Sequence, residues 1–315
     1  MIWLTLRQQR LETLIGGAVL VLVAVLLLVT GRDMSAAFQH LGAATCLAQH
    51  AQDAQDATCQ AALRTFETQY NPLGEFASCL NFLPPVFGIL LAAPVVLELE
   101  QGTYRLIWTQ GITRLRWVAM KLSLIVAGAV VVSLALSALM AWWRGPLDTL
   151  QGPFNPNAFD FEGIMPIAYT VYAVALGLAV GVVLRRTIPA MALTLVGFLG
   201  LRVTLEALRP HYVPPVVTTV AGSVSLHPAD WVLDSGLQDH LGQDVPFLTA
   251  VRLCGAAHGG GLDAACLRQH GIVHTLVYQP ASRLGLFQGM EAAIFLGLAT
   301  GLLGVTIWWI RYRLA

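Results

Sequence analysis

Histidine, cysteine and aspartate crowd into one polar stretch near the carboxyl end of the chain. His227, His240, His258, His270 and His274 lie there with Asp230, Asp234 and Asp239. Zinc takes three or four such ligands, usually including a tight local pair. His270 and His274 stand four apart and Asp239 adjoins His240, but no full ligand spacing follows. His258-Gly-Gly-Gly is superficially like an oxyanion segment, yet no G-x-S-x-G nucleophile elbow accompanies it. H-E-x-x-H and the G-x-x-x-x-G-K-[ST] phosphate loop are absent as well. The expectation is no catalytic residue and no metal site. A metal-dependent membrane hydrolase built on these histidines is the enzymatic alternative, and an immunity or sensing protein that binds an external peptide without moving it is another.

Five cysteines leave one unpaired or bonded to another chain. Cys254–Cys266 is the simplest disulfide and Cys46–Cys59 the second, which leaves Cys79 over; Cys59–Cys79 and a link between the two cysteine-bearing segments are the other pairings. Ionisable groups are scarce within the apolar runs. Arg202 and Glu206 stand four apart, the spacing of a pair on one helix face. Gln288 and Glu291 begin the last apolar run, and a carboxylate at that depth tends to face a bundle interior or to meet a partner such as Arg202. Glu98 and Glu100 end the second apolar run, within reach of Arg105 or Arg114, as a salt bridge or gate. So few charges make fixed structure, not a relay, and the energy for any transport must come from a partner.

The elements that position these groups follow from composition. The 315 residues are 56% hydrophobic and only 11% charged, with a mean hydropathy of +0.67, against roughly 25% charge in soluble domains. Apolar runs long enough to cross about 30 Å of hydrocarbon predict six spans at 13–31, 80–98, 119–143, 165–184, 189–207 and 285–310. The first follows Arg7 and Arg10 and is read as a retained span rather than a cleaved leader; Gly16–Gly17 in it suit close helix contact. Residues 1–12 read as an interfacial helix. Segment 32–79 suggests two short helices broken at Asn71-Pro72-Leu73-Gly74, segment 144–164 an irregular loop after the interfacial pair Trp142–Trp143, and 208–284 a second long loop. With an inner amino terminus, Arg7, Arg10, Arg105, Arg114, Arg116, Lys121, Arg185, Arg186, Arg311 and Arg313 all fall inside, as the positive-inside bias requires. Both long loops then lie outside with every histidine and cysteine, and 99–118 and 311–315 are cytoplasmic. This is an all-α integral membrane protein of the cell membrane, multi-pass, in contact with lipid and with nothing that asks for nucleic acid.

The run Glu98–Lys121, E-L-E-Q-G-T-Y-R-L-I-W-T-Q-G-I-T-R-L-R-W-V-A-M-K, resembles the segment after the second span in permeases of the type-2 ABC export family, particularly its actinobacterial branch. W-L-T-L-R-Q-Q-R near the start resembles that branch's elbow helix, L-R-R-T-I-P-A-M-A-L-T at 184–194 its junction of spans four and five, and Y-Q-P-A-S-R-L-G-L-F-Q-G-M-E at 278–291 its entry to the last span. The resemblance implies two permeases, here a homodimer, with two ABC ATPase subunits that bind ATP and Mg; this chain binds no cofactor. It implies a cytoplasmic coupling helix at about 102–114. In it Gly102 turns the chain and Thr103 caps the helix. Tyr104, Leu106, Ile107 and Trp108 offer an apolar face to the ATPase, while Arg105, Arg114 and Arg116 meet acidic groups or lipid phosphate. Two enlarged, disulfide-containing outer loops set this chain apart from compact members. An amphiphilic cargo (a drug, lipid or hydrophobic peptide) is expected to leave outward.

Overall fold

The computed structural model describes residues 10–49, 57–104, 113–152, 154–220, 229–255 and 262–313. Six of its helical stretches are long and apolar enough to cross a membrane. They draw on helices α1 (Arg10–His40), α3 (Ala57–Ala77) continuing through a 3-10 turn into α4 (Leu83–Gln101), α5 (Arg114–Gln151), α7 (Met165–Leu184), α8 (Thr187–Leu208) and α11 (Leu284–Tyr312). Short helices α2 (Ala43–Gln49), α6 (Pro156–Phe161), α9 (Phe247–Cys254) and α10 (Ala264–Gln269) and strands β1 (Val216–Val220), β2 (Trp231–Gln238) and β3 (Val273–Gln279) complete the described elements. The contacts divide into two compact units. The first draws on Met1–Leu147, Pro156–Glu206 and Gln288–Ala315, the second on Asp148–Asn155 and Ala207–Phe287.

In the first unit α7 is the most enclosed span, 72% buried over its most apolar window against 17–44% for the others. Its sequence says why. Ala173, Gly177 and Gly181 recur every four residues, and so do Gly88, Ala92 and Val96 on α4. A Cβ built on Gly88 would meet the Ala173 Cβ at 2.5 Å, one on Gly177 would meet Ala92 at 3.1 Å, and one on Gly181 would strike Val96. The two rows of small residues let the parallel helices α4 and α7 approach closely, which is how membrane helices gain van der Waals contact without a hydrophobic driving force. Gly16 and Gly17 do not serve this purpose: the ring of Phe87 lies 3.9 Å from a Cβ on Gly16, and nothing lies within 4 Å of one on Gly17. The tight approach on α1 is at Gly31, against Trp142 and Trp143. Trp142 is exposed as an interfacial ring should be, whereas Trp143 is buried and donates its Nε1–H to Thr30 Oγ1 at 2.9 Å.

Three helices outrun their apolar spans. α1 continues to His40, α5 passes Pro146 to Gln151, and α3 passes Pro72 without breaking at the Asn-Pro-Leu-Gly signal. Tertiary contact overrides the local signal: Phe66 is fully buried between Phe38 (5.1 Å) and Tyr70 (4.9 Å), and Leu147 packs 3.5 Å from a Cβ position on Gly74. Cys46 and Cys59 are joined, with Cα atoms 5.5 Å apart, and tie α2 to α3. Cys79 is free and exposed.

The second unit corrects the all-α reading. β1, β3 and β2 form an antiparallel three-stranded sheet in that order. Val216 pairs with Tyr278, and Trp231 with Gln279, with one irregularity between Val232 and Asp234. A long polar segment must satisfy its backbone hydrogen bonds somewhere, and the β-branched runs Val-Val-Thr-Thr-Val and Val-His-Thr-Leu-Val-Tyr favour a ladder over a helix. Leu237, Ala250, Leu267 and Ile272 form a small core beside it. Asp239 closes the turn after β2 by accepting the N–H groups of Gln243 (2.9 Å) and Leu241 (2.8 Å); the hydrogen bond from Gln243 holds its carboxyl below the usual carboxylate range. Cys254 and Cys266 are joined across α9 and α10, a sequence separation of 12. Replacing both by serine should destabilise this unit by about 3 kcal/mol, the chain-entropy value for a loop of that size. Limited proteolysis of the full-length protein in detergent checks this: cleavage within 207–287 should come earlier, and an unchanged rate would contradict it.

Candidate functional site

Two polar clusters stand at opposite ends of the helices of the first unit. At one end, the last turn of α4 meets the first turns of α5 and α8. Glu98 and Lys121 are both buried, and the Lys121 ammonium donates to Glu98 Oε1 while lying 5.1 Å from the centroid of the Trp117 ring. A buried ion pair must offset the loss of water around both charges; the indole face adds a cation–π contact to the cationic side. Two residues further along, Glu100 turns the other way. Its Oε2 accepts from the backbone N–H of Thr187 at 2.8 Å and from the Thr187 hydroxyl at 2.5 Å. Thr187 opens α8, so a carboxylate from α4 fills donors that a helix start leaves unsatisfied.

Gly102, at φ +72°, then ends α4 in the left-handed conformation that glycine adopts without strain. The Thr103 hydroxyl donates back to the Glu98 carbonyl at 3.4 Å, which closes the helix behind it. Tyr104 is buried. Arg105, Leu106, Ile107 and Trp108 lie outside the described residues. Thr113 precedes α5 and accepts from the Arg116 N–H at 3.4 Å; Arg114 is half-buried and Arg116 exposed. The partners described for the two glutamates are Lys121 and Thr187; Arg105, one of the two arginines that sequence spacing pointed to, lies outside the described residues.

At the other end, α6 brings in a residue that the sequence reading passed over. Asp160 is 2% exposed and accepts from Arg202 NH2 through Oδ2 at 2.5 Å. Arg202 NH1 donates to the Asn81 carbonyl at 3.1 Å, and the guanidinium lies 5.4 Å from the centroid of the Tyr169 ring. The Tyr169 hydroxyl stands 2.9 Å from Asp160 Oδ1 and 2.8 Å from Glu291 Oε1, so one phenolic group bridges two carboxyls. Glu291 is fully buried. Gln288, one turn earlier on α11, donates to the carbonyls of Phe159 (3.1 Å) and Glu162 (3.2 Å). Gly163 follows at φ +65°, where a Cβ would meet Gln288 Oε1 at 2.8 Å. Arg202 thus turns to Asp160 and leaves Glu206 exposed, and Glu291 reaches Arg202's partner through Tyr169. The signal for Asp160 was available: an acid flanked by two phenylalanines in Phe-Asp-Phe-Glu, just before a span, is costly to bury without a cation.

One group of potential metal ligands occurs among the described residues, Cys254, Cys266 and His270, and its two sulfurs are already bonded to each other. His240 and His274 are described elsewhere in the unit; His227 and His258 lie outside the described residues. The polar groups pin helix ends to one another, an arrangement suited to moving helices as rigid bodies. The family model for ABC-2 membrane transporter related proteins matches residues 17–209, more than half of the chain. The chain belongs to this family. Neither a curated protein nor a solved structure matches it.

The matched interval covers both clusters except for the part on α11. It takes in α4, Gly102 and the start of α5, the α7–α8 junction with Thr187, and Asp160, Tyr169 and Arg202. Family membership implies an ABC ATPase as partner. This multi-pass chain is the membrane-embedded subunit of such a transporter.

Proposed function

We propose that the chain is the permease of an ATP-driven exporter of the actinobacterial type, acting as a homodimer with two ATPase subunits and releasing an amphiphilic substrate outward. The observation that carries the reading is the family match together with the polar node at the base of residues 99–118. Glu98–Lys121 joins the two helices on either side of that segment, so a push on it is delivered to α4 and α5 together. Rigid-body shifts of packed helices are the usual way a local event becomes a global one. Orientation rests on the inner bias of the basic residues. The two disulfides, each in a segment assigned outside, agree with it, since disulfides persist in oxidising compartments. Residues 1–12 are assigned as an elbow helix, and Gly102, Thr103, Tyr104, Arg105, Leu106, Trp108, Arg114 and Arg116 as the surface that meets the ATPase.

Isolation in mild detergent tests this. The wild-type chain should retain an ABC ATPase subunit, and Leu106→Asp should weaken retention by about tenfold or more, equivalent to about 1.4 kcal/mol, while the permease keeps its own elution profile. Retention and ATPase stimulation unchanged in that variant would refute the coupling assignment.

A further inference from the structure

We propose that Glu100 is a positioning residue that hands movement of the coupling segment to α8. This rests on the reading just given, in which residues 99–118 receive the push of the ATPase. Glu98 and Glu100 sit on the same last turn of α4 but have different tasks. Glu98 binds α5 through a buried ion pair, which closes the base of the segment. Glu100 stands at the surface and holds a different helix. Its single oxygen takes both the backbone N–H and the hydroxyl of Thr187, the first residue of α8. The acceptor also complements the positive end of the helix dipole.

Beyond Thr187, the inner half of α8 meets its neighbours through apolar and small residues, among them Gly197, where a Cβ would meet Leu176 at 3.1 Å. Ala190 and Thr194 are its buried residues there, and they face Gly177, Ala92 and Val96 across a small cavity. Thr194 turns its hydroxyl back to the Ala190 carbonyl at 2.7 Å, which leaves an apolar, small-residue seam. The preceding turn adds no stiffness of its own beyond two residues, with Arg185 at φ +52°. At the far end, Arg202 fixes α8 to Asp160 and to the Asn81 carbonyl. A helix held at its two ends by polar contacts follows whichever end is displaced. Glu100 makes the end of α4 that driving contact. Without it the inner end of α8 loses its polar tie to the end of α4.

The test uses the full chain purified with its ATPase. In a Cys79→Ser background, which removes the free exposed thiol, Ile188→Cys on the exposed start of α8 carries an environment-sensitive thiol dye. The dye response to MgATP and the ATP hydrolysis rate are read together. Glu100→Ala should keep ATPase retention and hydrolysis within twofold of the parent, yet cut the dye response by about fivefold or more, the lower end of coupling between sites. Glu100→Gln should restore it, because the amide oxygen accepts the same two hydrogen bonds. Thr187→Val, which keeps the backbone donor, should fall between them. A normal response in Glu100→Ala overturns the inference alone. Equal loss in Glu100→Ala and Glu100→Gln, with a shared drop in melting temperature, marks a structural role and also overturns it. No response in the parent, or no ATPase retained, removes the functional reading and the inference with it.

Discussion

Arg202→Met should destabilise the permease by about 3–5 kcal/mol, the cost of breaking a buried ion pair by removing one member. Asp160 is 2% exposed and would lose the Arg202 guanidinium while its carboxyl still faces the Tyr169 hydroxyl. The loss should propagate, because the Arg202 cluster joins α6, α7, α8 and α11 and the Asn81 turn before α4. Thermal unfolding in detergent, followed by loss of the monodisperse peak, measures it. The double variant Arg202→Met with Asp160→Asn should recover much of the deficit, since removing both charges removes the desolvation problem. If Arg202→Met melts as the wild type does, the pair carries no stabilising weight. If the double variant is as damaged as the single, the loss comes from packing around the long side chain and not from charge.

Gly88→Val should be still less tolerated, with little monodisperse protein recovered. Even the first added carbon sits 2.5 Å from the Ala173 Cβ and 3.1 Å from the Val174 backbone nitrogen, and backbone cannot step aside as a side-chain tip can. Overpacking typically costs about 1–3 kcal/mol and more where backbones must part. The contact is the first of three along the α4–α7 seam, and separation there would also loosen the approaches at Gly177 and Gly181. Gly88→Ala should fall between wild type and Gly88→Val on the same thermal scale. Gly17→Val is the control: its Cβ meets nothing within 4 Å, and it should match the wild type. Equal behaviour of Gly88→Val and Gly17→Val would show that the seam does not depend on close approach.

Particular residues mark how much of this was readable beforehand. Six apolar stretches were legible because hydropathy adds up along the chain and needs no partner. Cys254 and Cys266 were legible because a short separation leaves few other ways to close a loop. Lys121 was placed near Glu98 only in the loose sense that both end spans on one side; that they form a pair, and that Thr187 takes Glu100, depends on which faces of three helices meet. The three strands were missed because runs of five to eight residues look the same in a loop, β2 with Asp234, Ser235 and Gly236 most of all, and their partners lie far apart in sequence, as Val216 and Tyr278 do. Pro72 and Pro146 misled in the opposite direction, since burial of Phe66 and Leu147 outweighs a local breaker signal.

The polar run Glu98–Lys121, the small-residue rows on α4 and α7, the six spans and the likeness to ABC permeases were all present in the sequence itself. They are local properties, set by side-chain chemistry and by spacing along one strand or helix. Tertiary structure alone decided that Arg202 chooses Asp160 over Glu206, that Tyr169 bridges Asp160 and Glu291, and that Glu100 holds α8. Those choices depend on the rotation of each helix about its axis. Close packing at Gly88, Gly177 and Gly181 sets that rotation, and no single helix carries it.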